Sequence, residues 1–186
     1  MSANETVYIK FFASVNGNSA NALMDSIDQQ IAKDKKKIIL LISTTGGSVF
    51  HGISLYNYLK GIPIEIETHN FGSVSSIGNI IFLAGTKRFS VPDARFLMHP
   101  VSMQVHQNRS LEEKQLDERL KGLKIDNHNI AKIIGKESSK TTDEVLSAMQ
   151  DRTTLSPEEA KEYGLVHEIK SDLYPKGATL ISINQS

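Results

Sequence analysis

The chain has 186 residues, enough for one domain with a substantial core, and its 21 basic and 21 acidic residues cancel. That balance gives no ground for a nucleic-acid partner or for attraction to an anionic membrane. The absence of cysteine excludes disulfides, thiolate metal sites and a cysteine nucleophile, and is compatible with a reducing cytoplasm.

The first residues, Met1 to Thr6, hold neither a basic stretch nor a long apolar one, and no later run reaches membrane-spanning length. A soluble, cytoplasmic chain with no membrane partner is expected. Thr6 to Val15 reads as a strand, and Ser19 to Lys33 as an amphipathic helix that turns Leu23, Ile27 and Ile31 inward. Lys37 to Ser43 is a second strand; its centre, Ile38 to Ile42, is apolar throughout, as suits a strand covered on both faces. Thr44-Thr45-Gly46-Gly47-Ser48 then leads into a helix from about Val49 to Lys60, followed by a strand over Ile64 to Thr68. This alternation predicts an α/β domain with a mainly parallel sheet. Two short strands, Lys87 to Val91 and Arg95 to His99, flank the turn Pro92-Asp93-Ala94.

Beyond them the pattern becomes helical. Ser110 with Glu113 makes a capping box, and Leu116, Leu120, Leu123, Ile130, Ile133 and Ile134 recur at helical spacing to about Lys136. Such a helix extends roughly 40 Å, more than a small domain needs, so part of it is expected to project or to pack on another subunit. Thr141 with Glu144 opens a helix to about Gln150, and Ser156, with Pro157 and Glu159, opens another that ends at Gly164. Leu165 to Ile169 reads as a closing strand.

The segment richest in chemistry is Phe71 to Gly78, followed by the apolar run Asn79 to Gly85. Its glycines and serines let a strand turn sharply into a buried helix, which places Ser76 at a helix N-terminus. Unpaired N–H groups and the positive end of the helix dipole favour negative charge there, as an acyl-transfer transition state requires. The same residues also suit a turn that merely caps a core helix. Taken alone, the turn leaves both readings standing. Likewise, His99 can be a structural strand-end histidine or a general base, and Asp151 a helix cap or an acid. His51, His69, His106, His128 and His167 show no metal-ligand spacing with nearby carboxylates, so no metal is expected.

Four segments in order resemble the proteolytic subunit of the Clp protease, ClpP. Gly72-Ser73-Val74-Ser75-Ser76-Ile77-Gly78 resembles that family's Gly-x-Ala-Ala-Ser-Met-Gly motif, and Thr44-Thr45-Gly46-Gly47 its Ser-Pro-Gly-Gly loop. Phe96-Leu97-Met98-His99-Pro100 is similar to the segment with the catalytic histidine, and Asp151 to Ala160 with Glu162 to Val166 to the segment with the aspartate and last strand. The resemblance runs from about residue 6 to 169. It implies the ClpP/crotonase-like α/β fold of repeated β-β-α and β-α units with a long projecting handle helix. The whole of 1–186 would be one peptidase domain: a head core over about 6–100, a handle over 101–140, return helices and a strand over 141–170, and a C-terminal tail over 171–186.

The activity implied is that of a serine endopeptidase on peptides or unfolded proteins. Ser76 would be the nucleophile, His99 the general base and Asp151 the acid that orients it; backbone N–H groups of Gly47 and Ile77 would form the oxyanion hole. The resemblance also implies no cofactor, an extended substrate near Ser102 to Gln107, and a homo-oligomer of heptameric rings, stacked as a tetradecamer. Three departures stand out. Asp151 lies one residue farther from Ser156 than the family's aspartate, a position that Arg152 holds instead. No glycine occurs from Val101 to Arg109, and little chain precedes the first strand to line an axial pore, so reliance on an AAA+ unfoldase is left open. The rival readings are an inactive scaffold subunit, a crotonase-type acyl-CoA enzyme and a Ser-Lys peptidase like signal peptide peptidase A.

Overall fold

The computed structural model describes residues 5–103 and 111–184. The first elements follow the expected alternation: β1 (Thr6–Phe12), α1 (Gly17–Ala32), β2 (Lys37–Thr44), α2 (Val49–Gly61), β3 (Glu65–Ser75) and α3 (Gly78–Leu83). β1, β2 and β3 are parallel neighbours. Val7, Ile9 and Phe11 of β1 are fully buried, as are Ile38, Leu40 and Ile42 of β2; every second side chain of each strand therefore enters the same core.

β3 runs through the glycine and serine segment to Ser75, well past the expected end at Thr68. Its length comes from its partners. β4 (Lys87–Ser90) pairs in parallel with Glu67 to Asn70, and β5 (Arg95–Leu97) takes over at Ser73 to Ser75. On the other side, a register shift between Ile42 and Thr44 keeps Val74 paired with β2. β4 and β5 both run with β3 and do not pair with each other.

α4 (Glu113–Glu137) is the long helix, with Glu112 as N-cap in a capping box with Gln115. The expected cap Ser110 lies outside the described residues. Of α4, Ile130, Ala131 and Ile134 are buried against the head, whereas Leu116 and Leu120 are half exposed. α5 (Thr142–Gln150) and α6 (Pro157–Tyr163) start with the Thr141 and Ser156 capping boxes read from sequence, and Gly164 ends α6 at φ 94°. Only Glu168–Ile169 of the closing segment is a strand, β7, which pairs with β4; β6 (Thr154–Leu155) pairs antiparallel with β5. The region expected to be a tail holds β8 (Leu180–Asn184), which adds to β1 in parallel and buries Ile183. Among the described residues, no helix is long and apolar enough to cross a membrane.

Candidate active site

At the C-terminal end of β3 the chain turns into α3 through Ser76, a non-glycine residue at φ 57°. A side chain in this left-handed region costs about 1–3 kcal/mol and persists only where its surroundings hold it. Here the Ser76 N–H donates to the Leu97 carbonyl at 2.8 Å, and the Ser76 carbonyl accepts from the Asn79 N–H at 3.0 Å. The turn is packed tightly from behind. A Cβ on Gly52 of α2 would lie 2.2 Å from Ile77, and one on Gly78 would lie 2.4 Å from Thr44.

The Gly46-Gly47 loop after β2 abuts this serine. A Cβ on Gly46 would stand 2.7 Å from the Ser76 Cβ, so only glycine lets the loop approach so closely. The loop is strapped to Val15: the Val15 N–H donates to the Gly46 carbonyl and the Ser48 N–H to the Val15 carbonyl, both at 2.8 Å. Neither bond uses the N–H of Gly47.

His99 lies two residues past the end of β5 and faces the same small pocket as Ser76. The pocket is otherwise walled mainly by apolar side chains, among them Val49, Met98, Ile130, Ile134 and Met149. Thus β3, β5 and the buried part of α4 together bring Ser76 and His99 to one place. The His99 Nδ1 lies 2.8 Å from the Pro100 carbonyl. With Nδ1–H donating there, Nε2 is the basic nitrogen. Beside the pocket an open cleft of about 350 Å³ runs between the Gly47 loop, Val101 to Met103, and Arg119 and Asp126 of α4.

Asp151 is not brought to this pair. It caps the C-terminus of α5 with its side chain exposed, and no hydrogen bond or ion pair joins it to His99. The cause is the residue that separates it from the family's spacing. Arg152 turns in the left-handed region at φ 53°, and the Met98 N–H then bonds to the Thr153 carbonyl. Carried two residues onward, the β5–β6 register sets Arg152, not Asp151, opposite His99.

One residue of the pocket escaped the sequence reading: Asn79, which was absorbed into an apolar run. It is buried, and its Nδ2 donates to the Ser76 and Leu97 carbonyls. An amide among Ile80, Ile81, Phe82 and Leu83 was the sign that could have found it. Among the described residues there is no cluster of three or more His, Cys, Asp or Glu side chains that could hold a metal ion. The expected extended substrate partner, Ser102 to Gln107, falls mostly outside the described residues.

A family model of the Clp protease matches residues 3–172. The chain is 30% identical over 158 residues to the ATP-dependent Clp protease proteolytic subunit 2 of Corynebacterium efficiens, covering 83% of this chain and 77% of that protein. It is 26% identical over 151 residues to the ATP-dependent Clp protease proteolytic subunit of Bdellovibrio bacteriovorus, covering 80% and 71%. In fold it is similar to a mutant ClpP1 from Listeria monocytogenes, with a TM-score of 0.79 at 24% identity over 90% of this chain and 92% of that one. A family match across nearly the whole chain, over a fold that sets a strained serine and a histidine in one pocket, shows that the protein belongs to the Clp protease family of serine-type peptidases.

Proposed function

We propose that this serine endopeptidase cleaves peptides or unfolded proteins through an acyl-enzyme on Ser76, with His99 as general base. The observation that supports the assignment most is Ser76 itself, fixed at φ 57° on the strand-to-helix turn and sharing a pocket with His99. His99 Nε2 takes the hydroxyl proton as Ser76 Oγ attacks the peptide carbonyl, then returns it to the leaving amine. The N–H groups of Gly47 and Ile77 stabilise the oxyanion. Substrate lies in the cleft beside Gly47 and α4. In this arrangement the Pro100 carbonyl, which accepts from Nδ1–H, orients the ring; Asp151 stands apart from it.

The fluorophosphonate test separates these roles. Wild type should be labelled, and Ser76→Ala and His99→Ala should lose labelling and about 10⁴-fold or more of peptide turnover. Asp151→Ala should stay within about tenfold of wild type, because no Asp151 bond to His99 is there to lose. An unlabelled wild type, shown to be folded, would favour the scaffold or acyl-CoA reading. Activity surviving in His99→Ala would point instead to a lysine base.

We further assign the protein to the cytoplasm and to homo-oligomeric rings, heptamers stacked in pairs, that enclose the sites. Family membership and the half-exposed leucines of α4 support the rings. Peptides and flexible segments are the substrates it takes unaided.

A further inference from the structure

We propose that Asn79 is a positioning residue that sets the reach between Ser76 and His99; this rests on those two being the reacting pair. The Asn79 side chain is 1% exposed, and its Nδ2 ties two carbonyls together: that of Ser76 at 2.9 Å and that of Leu97 at 2.8 Å. Leu97 lies two positions before His99 in the chain, and its carbonyl also accepts from the Ser76 N–H. One amide therefore joins the turn that carries the nucleophile to the strand end that carries the base. β3 and β5 are paired as far as Ser75 and Leu97, and the Ser76 N–H bonds the Leu97 carbonyl; the amide carries this coupling one step further, onto the Ser76 carbonyl inside the turn.

The other half of the side chain argues that packing is not its purpose. Asn79 Oδ1 is buried with no hydrogen-bond partner among the described residues. Leaving an acceptor unpaired in an apolar pocket destabilises the fold. A side chain selected for stability alone would be apolar, as Ile80 to Leu83 are. What Asn79 supplies that an apolar residue lacks is the two-handed donor. Because a displacement of about 1 Å at a reacting pair can cost on the order of 100-fold in rate, holding this distance is worth an unpaired oxygen.

Two substitutions test the donor rather than the shape. Asn79→Leu keeps the size and donates nothing. In Asn79→Asp the carboxyl, buried against two carbonyls, stays protonated and donates once. Turnover of a fluorogenic peptide, the rate of fluorophosphonate labelling and the melting temperature are measured for the assembled protein. The expected result is that kcat and labelling rate fall at least tenfold in Asn79→Leu with KM within twofold, and that Asn79→Asp lies between it and wild type. Asn79→Leu within twofold of wild type in kcat and labelling, or Asn79→Asp no better than a folded Asn79→Leu, overturns the proposal. Should Asn79→Leu not fold, Asn79→Ala, which also donates nothing, takes its place under the same criteria. A wild type that neither labels nor turns over overturns the peptidase assignment itself, whereas failure at Asn79 alone leaves wild-type labelling intact.

Discussion

Ser76 at φ 57° and Gly46 at φ 87° meet where two loops converge, and each conformation is sustained by the other's position. Glycine at 46 needs no side chain to be displaced, while any Cβ there would collide with the Ser76 Cβ at 2.7 Å and the Ser75 carbonyl at 2.8 Å. Gly46→Ala should therefore push Ser76 and add backbone strain of about 1–2 kcal/mol at the same time. Turnover is expected to drop about 100-fold, with a lower melting temperature, as a peptide assay and thermal melt of one sample would read. Undiminished turnover would mean that the glycine loop does not buttress Ser76. Gly61 provides the contrast, since no atom lies near its would-be Cβ; its change to Ala should leave turnover unaltered.

At the scale of elements, α4 divides into two parts with different partners. Its C-terminal third buries Ile130, Ala131 and Ile134 and contributes to the pocket, while Leu116, Leu120 and Ile125 are each about half exposed. Leu116 and Leu120, one turn apart on the same side of the helix, mark a face that gains by association, whereas Ile125 lies on the opposite side. Leu116→Glu with Leu120→Glu should leave the fold intact and lower the assembled mass on sizing; an unchanged mass would refute a role for this face in assembly. The helix itself was legible because its period and length are properties of the local sequence. So were the elbow and the Thr141 and Ser156 caps. β8 was not, because Leu180 to Asn184 is a short strand that pairs with β1 and buries Ile183 against elements far away in the chain. The separate pairing of β4 and β5 with β3 was hidden for the same reason. The candidate site was legible as Ser76, His99 and the glycine loop, each marked by a local motif. The place of Asp151 depended on the backbone turn at Arg152, and the role of Asn79 on two carbonyls in other segments.

Across the whole molecule, the head, α4 and α6 are held together by buried polar groups as well as by the core. Arg88, buried on β4, donates to the carbonyls of Glu137, Gly164 and Leu165, the first at the end of α4 and the others after α6. The Arg88 N–H donates in turn to Nδ1 of His167 at 3.1 Å, a bond that requires that nitrogen to be unprotonated. His167 is accordingly shifted below 6.5, by burial and then by the Arg88 charge. His69, packed against Phe89 with its Nε2 3.2 Å from the Lys170 carbonyl, is lowered to about 4, chiefly by burial. His69 is neutral in the folded chain near pH 7 and protonates readily only when it unfolds; His167, which is exposed, is shifted in the same direction. Below 6.5 the unfolded state therefore binds more protons than the folded one. The stability these groups confer is complete above pH 6.5 and is lost as pH falls toward about 4, before most carboxylates titrate. Melting temperature should thus decline between pH 7 and pH 5, and His69→Leu, whose side chain binds no proton in either state, should make that decline shallower. A melting temperature that stays level over this interval would show that neither histidine is held neutral by the fold.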